Sequence, residues 1–263
     1  MKACEIIEEL FALADERDYS TSCDKCCSGN PDIETQKVAV AMFATPEVIK
    51  KAKDWGAQLL IVHEPIYHNS ADVNDPLDCE KRKLIEDSGL TLYRYHDHTH
   101  YTTPDIIAIG EFRQLALKGT IECTDVFDLV RLHLEEAITP LELAGIIEER
   151  CKVKHVRICG ATDVPCKVIS GMFGAPGKGA YEELKSDKSE IVLVGETTEW
   201  LLGEYARDAA QLGHKKALLI LGHAGSERDG MKYTADIIKG KHPELDVKYF
   251  ECGELYTYTD TQN

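Results

Sequence analysis

"KVAVAMFATPEVIKKAKDWGAQLLIVHEP", Lys37 to Pro65, decides the fold class of this chain of 263 residues. It opens on an apolar run, Lys37 to Phe43, of the kind a strand shows when both of its faces are buried. Thr45 is then placed to cap a helix, and Pro46 suits the first helical position, where no amide hydrogen is needed. Val48, Ile49, Ala52 and Trp55 recur at helical spacing. Gly56 closes the helix as a residue able to take a left-handed conformation. "AQLLIVHE" is a second strand, and it ends at His63-Glu64-Pro65. Strand, helix and strand in this order predict a parallel pair with its crossover.

Outward from this unit the style repeats. A helix is expected near Glu80 to Asp87, Gly89 stops it, and "TLYRYH" reads as a third strand. In the second half, "KHVRICG", "EIVLVGE", "KKALLILGH" and "DVKYFECG" read as strands. "TEWLLGEYARDAAQLG", closed by Gly213, and "MKYTADIIKGK" read as helices. The leucine-rich region from about Thr124 to Lys154 is expected to be helical and to join the halves. The prediction is an α/β protein of two three-layer α/β/α lobes, residues 1–124 and 125–263. Their sheets are mixed and largely parallel, and a metal site is expected in the cleft between them.

Composition narrows the function. The net charge of −16 disfavours binding to nucleic acid, which needs lysine and arginine against phosphate. The first residues lack the basic start and apolar run of a signal peptide, and no apolar run is long enough for a membrane helix. The chain is therefore expected to be cytoplasmic. Its 10 cysteines are then reduced thiols by default. "CDKCC", with Cys23, Cys26 and Cys27, offers a Cys-x-x-Cys pair for zinc or redox chemistry. With no second pair, a loop of free thiols is the plain reading. "GMFGAPGKGAY", Gly171 to Tyr181, fails the spacing of a phosphate-binding P-loop and lacks its hydroxyl residue. Its amides could still cradle an anion.

Ligands of open parallel sheets bind beyond the carboxyl ends of strands, and three predicted strand ends carry metal-type residues. One ends in His63 and Glu64. The next ends in "YRYHDHTHY", with His96, Asp97, His98 and His100. A third ends in His223, with Glu227 four residues on, so that both share a face if a helix starts there. His96 and His100 have the same separation. A lone histidine at a strand end is most often a hydrogen-bonded loop residue. Three such clusters on one type of edge point to a shared site instead. Imidazole with carboxylate suits zinc, manganese, iron or nickel. Six ligands exceed one tetrahedral site and would serve two ions.

With these motifs in view, the chain resembles the GTP cyclohydrolase I type 2 homologue family, the Nif-three-like proteins. "ATPEVIKKAKDWGAQLLIVHEP" is similar to the family's Thr-Pro-Glu helix start and its strand ending in Thr-His-His-Pro. "YRYHDHTH" stands where the family has Tyr-Ser-x-His-Thr-Asn-x-Asp. "GHAGSERDGMKYTADIIKGK" resembles the C-terminal Gly-His-x-x-x-Glu signature. The resemblance implies a dinuclear metal centre held by His63, Glu64, His96, His100, His223 and Glu227, and a homohexamer. Glu64 replaces a histidine of the pattern and His100 replaces an aspartate. The set keeps four imidazoles and two carboxylates, so its formal charge is unchanged. "HEPIYHN", "HDHTH" and "GETTEW" mark a distinct branch.

Two functions remain open at this stage. The first is a metal-dependent hydrolase acting on a phosphorylated or nucleotide-like small molecule, with Glu64 or Glu196 taking the proton. The second is a non-catalytic metal-binding, regulatory or scaffold protein. His68, Asp97 and His98 are read as groups that orient a ligand. Glu196 and Glu199 fit a solvated helix start equally well. The His-x-His of "HDH" also suits an amidohydrolase-like barrel, but the strands fall in two groups and not in eight repeating units.

Overall fold

The computed structural model describes residues 1–68, 74–126 and 129–259. In chain order the first elements are α1 (Ala3–Phe11), β1 (Lys25–Ser28), β2 (Lys37–Ala41), α2 (Pro46–Trp55), β3 (Leu59–Val62), α3 (Pro76–Ser88), β4 (Thr91–Arg94), α4 (Asp97–His100) and α5 (Ile106–Leu115). There follow β5 (Gly119–Cys123), β6 (Val130–Ile138), α6 (Pro140–Arg150), β7 (Arg157–Gly160), β8 (Cys166–Met172), α7 (Lys178–Lys185) and β9 (Ile191–Val194). A π-helical turn (Glu199–Gly203), α8 (Glu204–Gln211), β10 (Ala217–Ile220), α9 (His223–Lys241) and β11 (Asp246–Phe250) complete the order.

The chain forms two compact units. The first comprises Met1–Phe11, Tyr19–Asp97 and Ala235–Asn263, and the second Ala12–Asp18 and His98–Thr234. This division departs from the expected one at residue 125. The C-terminal strand returns to the N-terminal sheet, because β11 pairs in parallel with β2 from Asp246↔Lys37 to Phe250↔Ala41. Local patterning carries no sign of that pairing, which joins segments some 200 residues apart in the chain.

The first unit holds a sheet in the order β1-β4-β3-β2-β11. The pairs β11/β2, β2/β3 and β3/β4 are parallel, and β1 lies antiparallel to β4 at the edge. Ala39, Ala41, Leu60, Val62 and Leu92 pack on one face against Val48, Ile49 and Ala52 of α2 and Ile85 of α3. Their alternates Val38, Val40, Leu59 and Ile61 are just as buried, so the sheet is covered on both faces. The helix start read from Thr45 is present: its side chain accepts from the Val48 amide at 3.2 Å. Gly56 closes the helix at φ 84°, a conformation that favours glycine.

The second unit holds a sheet in the order β5-β6-β8-β9-β10-β7. Only β8/β9 and β9/β10 run parallel here, while β5/β6, β6/β8 and β10/β7 are antiparallel. The expected helical stretch from Thr124 to Lys154 is corrected: β6 occupies Val130–Ile138 and only Pro140–Arg150 is helical. The reason lies in the period. Val130, Leu132 and Leu134 are buried while His133 and Glu135 are exposed, an alternation of two that belongs to a strand. Thr139 then caps α6 in a reciprocal box with Glu142. Among the described residues no helix is long and apolar enough to cross a membrane.

Candidate metal centre

The first unit brings His63, Glu64 and His96 together. β3 runs straight into His63 and Glu64, whose amides both donate to the Met42 carbonyl, at 3.2 and 3.1 Å. These two hydrogen bonds on one carbonyl end the ladder and turn the chain at the strand end. His63 and Glu64 are both buried. The rings of His63 and His96 stack with centroids 4.4 Å apart. His96 Nε2 lies 4.0 Å from Glu64 Oε1. Arg94 reaches the same region, its guanidinium 3.9 Å from Glu64 Oε2 and its Nε donating to the His63 carbonyl at 3.2 Å.

The second unit carries the other expected residues. β10 ends before Gly222, whose φ of 83° turns the chain, and α9 begins at His223. His223 and Glu227 are therefore one helical turn apart on the same face, with Nε2 3.2 Å from Glu227 Oε2. His100 ends the short helix α4, which supplies the helical turn expected after His96. It is buried, and its Nδ1 lies 2.9 Å from Asp105 Oδ2.

One feature unites the four imidazoles expected as ligands. His63 Nδ1 lies 3.1 Å from the Tyr95 carbonyl, and His96 Nδ1 lies 3.0 Å from Asp97 Oδ1. His100 Nδ1 meets Asp105 at 2.9 Å, and His223 Nδ1 meets Glu196 Oε1 at 2.8 Å. A carbonyl or ionised carboxylate can only accept, so each Nδ1 is the donor nitrogen, and Nε2 is the nitrogen left to face a ligand, in His223 beside Glu227 Oε2. This is the arrangement in which a histidine is held for a metal. Asp97 thus makes with His96 the contact that an orienting group would make. Burial works against its charge, but hydrogen bonds from the Cys23 amide, the His96 ring and Ser22 hold its carboxyl far below the usual range.

Other expected residues sit differently. Glu196 has a side chain 60% exposed and meets His223 Nδ1 at 2.8 Å. Glu199 opens the π-helical turn and lies 3.6 Å from Arg157. His68 turns its Nδ1 to the buried Asp78 at 2.7 Å, and His98 is buried in α4. Asn69, the last residue of "HEPIYHN", lies outside the described residues. In the glycine-rich stretch, Gly174 is closely surrounded. The Gly174 amide donates to Ser226 Oγ at 2.9 Å, and a Cβ built on Gly174 would collide with Glu227 Oε1. With φ at 63°, this position needs glycine on both counts.

Cys26 and Cys27 form part of β1, and Cys23 precedes it. Burial, with Asp24 and Asp97 adding and Arg94 opposing, pushes the Cys23 thiol up to about 12. Such a thiol is not a reactive thiolate. A separate buried group, Glu111, Cys151 and Asp229, lies in the second unit with atoms within 4.8 Å of one another. Its charges are answered locally: the Asp229 amide donates to Glu111 at 2.8 Å, and Lys232 lies 3.0 Å from Asp229. Burial and the neighbouring Asp229 push the Glu111 carboxyl up.

Reasoning from the sequence missed Asp105 and Asp24. Asp105 was detectable as a cap before the apolar run of α5, since it accepts from the Ala108 amide at 2.9 Å. Asp24 left no local signal for its hold on His96 and Asp97, because those amides lie 72 and 73 residues away.

The chain thus has two α/β units with histidine and carboxylate residues at strand ends, a class of fold that comparison with known proteins defines further. It belongs to the Duf34/NIF3 (NGG1p interacting factor 3) family, which matches residues 1–254. A GTP cyclohydrolase 1 type 2 homolog of Clostridium perfringens is 23% identical over 233 residues, covering 86% of each chain. One from Pyrococcus abyssi is 24% identical over 242 residues, covering 89% of this chain and 93% of that one. Among solved structures, the protein ybgI, described as of unknown function, matches with a TM-score of 0.80 at 20% identity, over 97% of this chain and all of that one. Reduced HcgD from Methanocaldococcus jannaschii matches with a TM-score of 0.75 at 18% identity, over 95% and 97% of the two chains. These structural likenesses speak for the fold.

Proposed function

We propose that this chain binds two divalent metal ions through His63, Glu64, His96, His100, His223 and Glu227, and that it is a metal-dependent hydrolase of phosphorylated or nucleotide-like small molecules. The carrying observation is that each of the four histidines has its Nδ1 within hydrogen-bonding distance of an oxygen, the contact that leaves Nε2 as the ligand nitrogen. Mixed imidazole and carboxylate donors suit zinc, manganese, iron or nickel. Such ions supply Lewis acidity toward a phosphoryl or carbonyl oxygen.

The residues of the chain divide the remaining work. Asp97, Asp105 and Glu196 orient the imidazoles. Glu196, exposed and already holding His223, is one candidate to take a proton, and Glu64 is the other. A cavity of about 390 Å³ in the second unit supports a small-molecule substrate. His100 and Asp105 form part of its wall, beside Arg17, whose guanidinium stacks 3.3 Å from the centre of the Tyr101 ring. Arg17 offers an anionic group a fixed guanidinium there, while Asp15, Asp105 and Asp125 line the same cavity and would suit cationic or metal-bridged parts of a substrate. A cytoplasmic location and a homohexamer complete the proposal, both resting on the sequence and the family resemblance.

The test is metal analysis of the purified chain, followed by a screen of phosphoesters and nucleotides with manganese or zinc. Two ions per chain and a turnover that His63→Ala abolishes support the reading. Two ions with no turnover favour a non-catalytic metal-binding or regulatory protein. No bound metal under any loading condition sinks both.

A further inference from the structure

The stretch "CDKCC" has no part in the ligand set, yet the sheet delivers it there. β1 pairs antiparallel to β4 with Lys25 opposite Arg94 and Cys26 opposite Tyr93. Continuing that register past the end of the ladder carries Asp24 and Cys23 alongside Tyr95, His96 and Asp97. The bonds follow. Asp24 Oδ1 accepts from the amides of His96 at 2.6 Å and Asp97 at 3.2 Å. Asp97 Oδ2 accepts from the Cys23 amide at 3.0 Å. Asp97 Oδ1 accepts from the Cys23 thiol at 3.3 Å and from His96 Nδ1 at 3.0 Å. The Asp24 amide donates to Ser22 Oγ at 3.1 Å.

The Cys23 amide and thiol and the amides of His96 and Asp97 all end on the carboxylates of Asp97 and Asp24. The chain of contacts runs from an edge strand, through one carboxylate, to one ring nitrogen. We propose that the Ser22–Asp24 segment is a clamp that fixes the tautomer and ring orientation of His96, with Cys23 acting as a hydrogen-bond donor to Asp97 and not as a metal ligand or redox centre. The proposal rests on His96 being a metal ligand, as argued above, and it assigns Cys23, Asp24 and Asp97 as positioning residues.

A rival reading exists on the same atoms. Cys23, His96 and Asp97 offer ligand atoms within 4.8 Å of one another and could themselves hold a thiophilic ion. The two readings differ in what serine can replace. A hydroxyl restores the hydrogen bond to Asp97 but is a poor substitute for a thiolate ligand.

The experiment uses the metal-free full-length chain labelled with ¹⁵N-histidine, with the His96 signals assigned by their loss in His96→Ala. Proton–nitrogen correlation reads the tautomer, and a zinc titration reads affinity. Wild type is expected to carry the hydrogen on Nδ1. Cys23→Ala and Asp97→Ala are expected to shift His96 toward the Nε2–H form and to weaken zinc binding by about 10- to 100-fold, the range typical of orienting partners. Cys23→Ser is expected to stay near wild type in both readouts. If Asp97→Ala does not fold, Asp97→Asn carries the same comparison with a smaller shift.

Unchanged tautomer and affinity in the folded alanine variants would overturn the clamp. A Cys23→Ser variant as impaired as Cys23→Ala would overturn it in favour of a sulfur ligand. If His96→Ala leaves zinc affinity untouched, the metal reading of His96 fails, while the tautomer shift still decides the clamp.

Discussion

A histidine can bind a metal only through the nitrogen that lacks a hydrogen, so an oxygen on the opposite edge of the ring decides its use. That oxygen comes from a backbone carbonyl for His63 and from a carboxylate for His96, His100 and His223. Carboxylate partners make an imidazole the stronger donor. Asp105→Ala is therefore expected to cost about 10- to 100-fold in zinc affinity, read by titration against a fluorescent chelator. A variant that binds like wild type would remove His100 from the ligand set. Gly174→Ala tests the other side. Its Cβ would push Glu227 Oε1 away, so metal binding should weaken. The thermal transition should also fall, by the equivalent of about 1–3 kcal/mol for strained backbone and a forced side chain. Unchanged metal affinity in Gly174→Ala would show that Glu227 is not a ligand.

Elements hold these residues in place, and one buried ion pair does so in the second sheet. Arg131 of β6 donates from Nε to Glu183 Oε1 at 2.7 Å and from Nη2 to Glu183 Oε2 at 2.8 Å, tying the sheet to α7. Both side chains are at least 95% buried, and Ser170 of β8 donates to the same carboxylate at 2.6 Å. Removing one partner leaves a buried charge, so Glu183→Ala should cost about 3–5 kcal/mol in chemical denaturation; a loss under 1 kcal/mol would show that the pair is dispensable. The pH dependence has a definite sign. Burial raises the Glu183 carboxyl, but Arg131 and Ser170 outweigh it and the net shift is downward. Its stabilisation is then complete above the ordinary glutamate range and fades as the pH falls through the lowered value. Denaturation midpoints of wild type should drop in acid more steeply than those of Glu183→Gln. Parallel curves would contradict this.

At the scale of the molecule, charge and assembly make their own predictions. A net charge of −16 should prevent binding to DNA at physiological salt. Fluorescence anisotropy with a labelled duplex should stay flat, and salt-sensitive binding would refute the expectation. The proposed homohexamer should scatter light with a mass six times the 29.4 kDa of one chain. A monomer at micromolar concentration would reject that assembly.

Much of this protein was legible in the sequence because its signals are local. The α2 cap at Thr45, the stop at Gly56 and the i,i+4 pair of His223 and Glu227 depend on residues within one or two helical turns. The alternation of Val130, Leu132 and Leu134 was equally local, and a leucine count obscured it. What only the tertiary structure decided was pairing at a distance. The return of β11 to β2, the antiparallel β1 at the edge of β4, and the hold of Asp24 and Cys23 on His96 and Asp97 all join segments remote in the chain. The sequence by itself determined which donors the chain owns and which elements carry them. For His96 and His100 the oxygen beside Nδ1 comes from a near neighbour, Asp97 or Asp105, whereas for His63 and His223 the fold brings it from Tyr95 and Glu196, 32 and 27 residues away, because an imidazole takes its tautomer from whatever oxygen is set beside it.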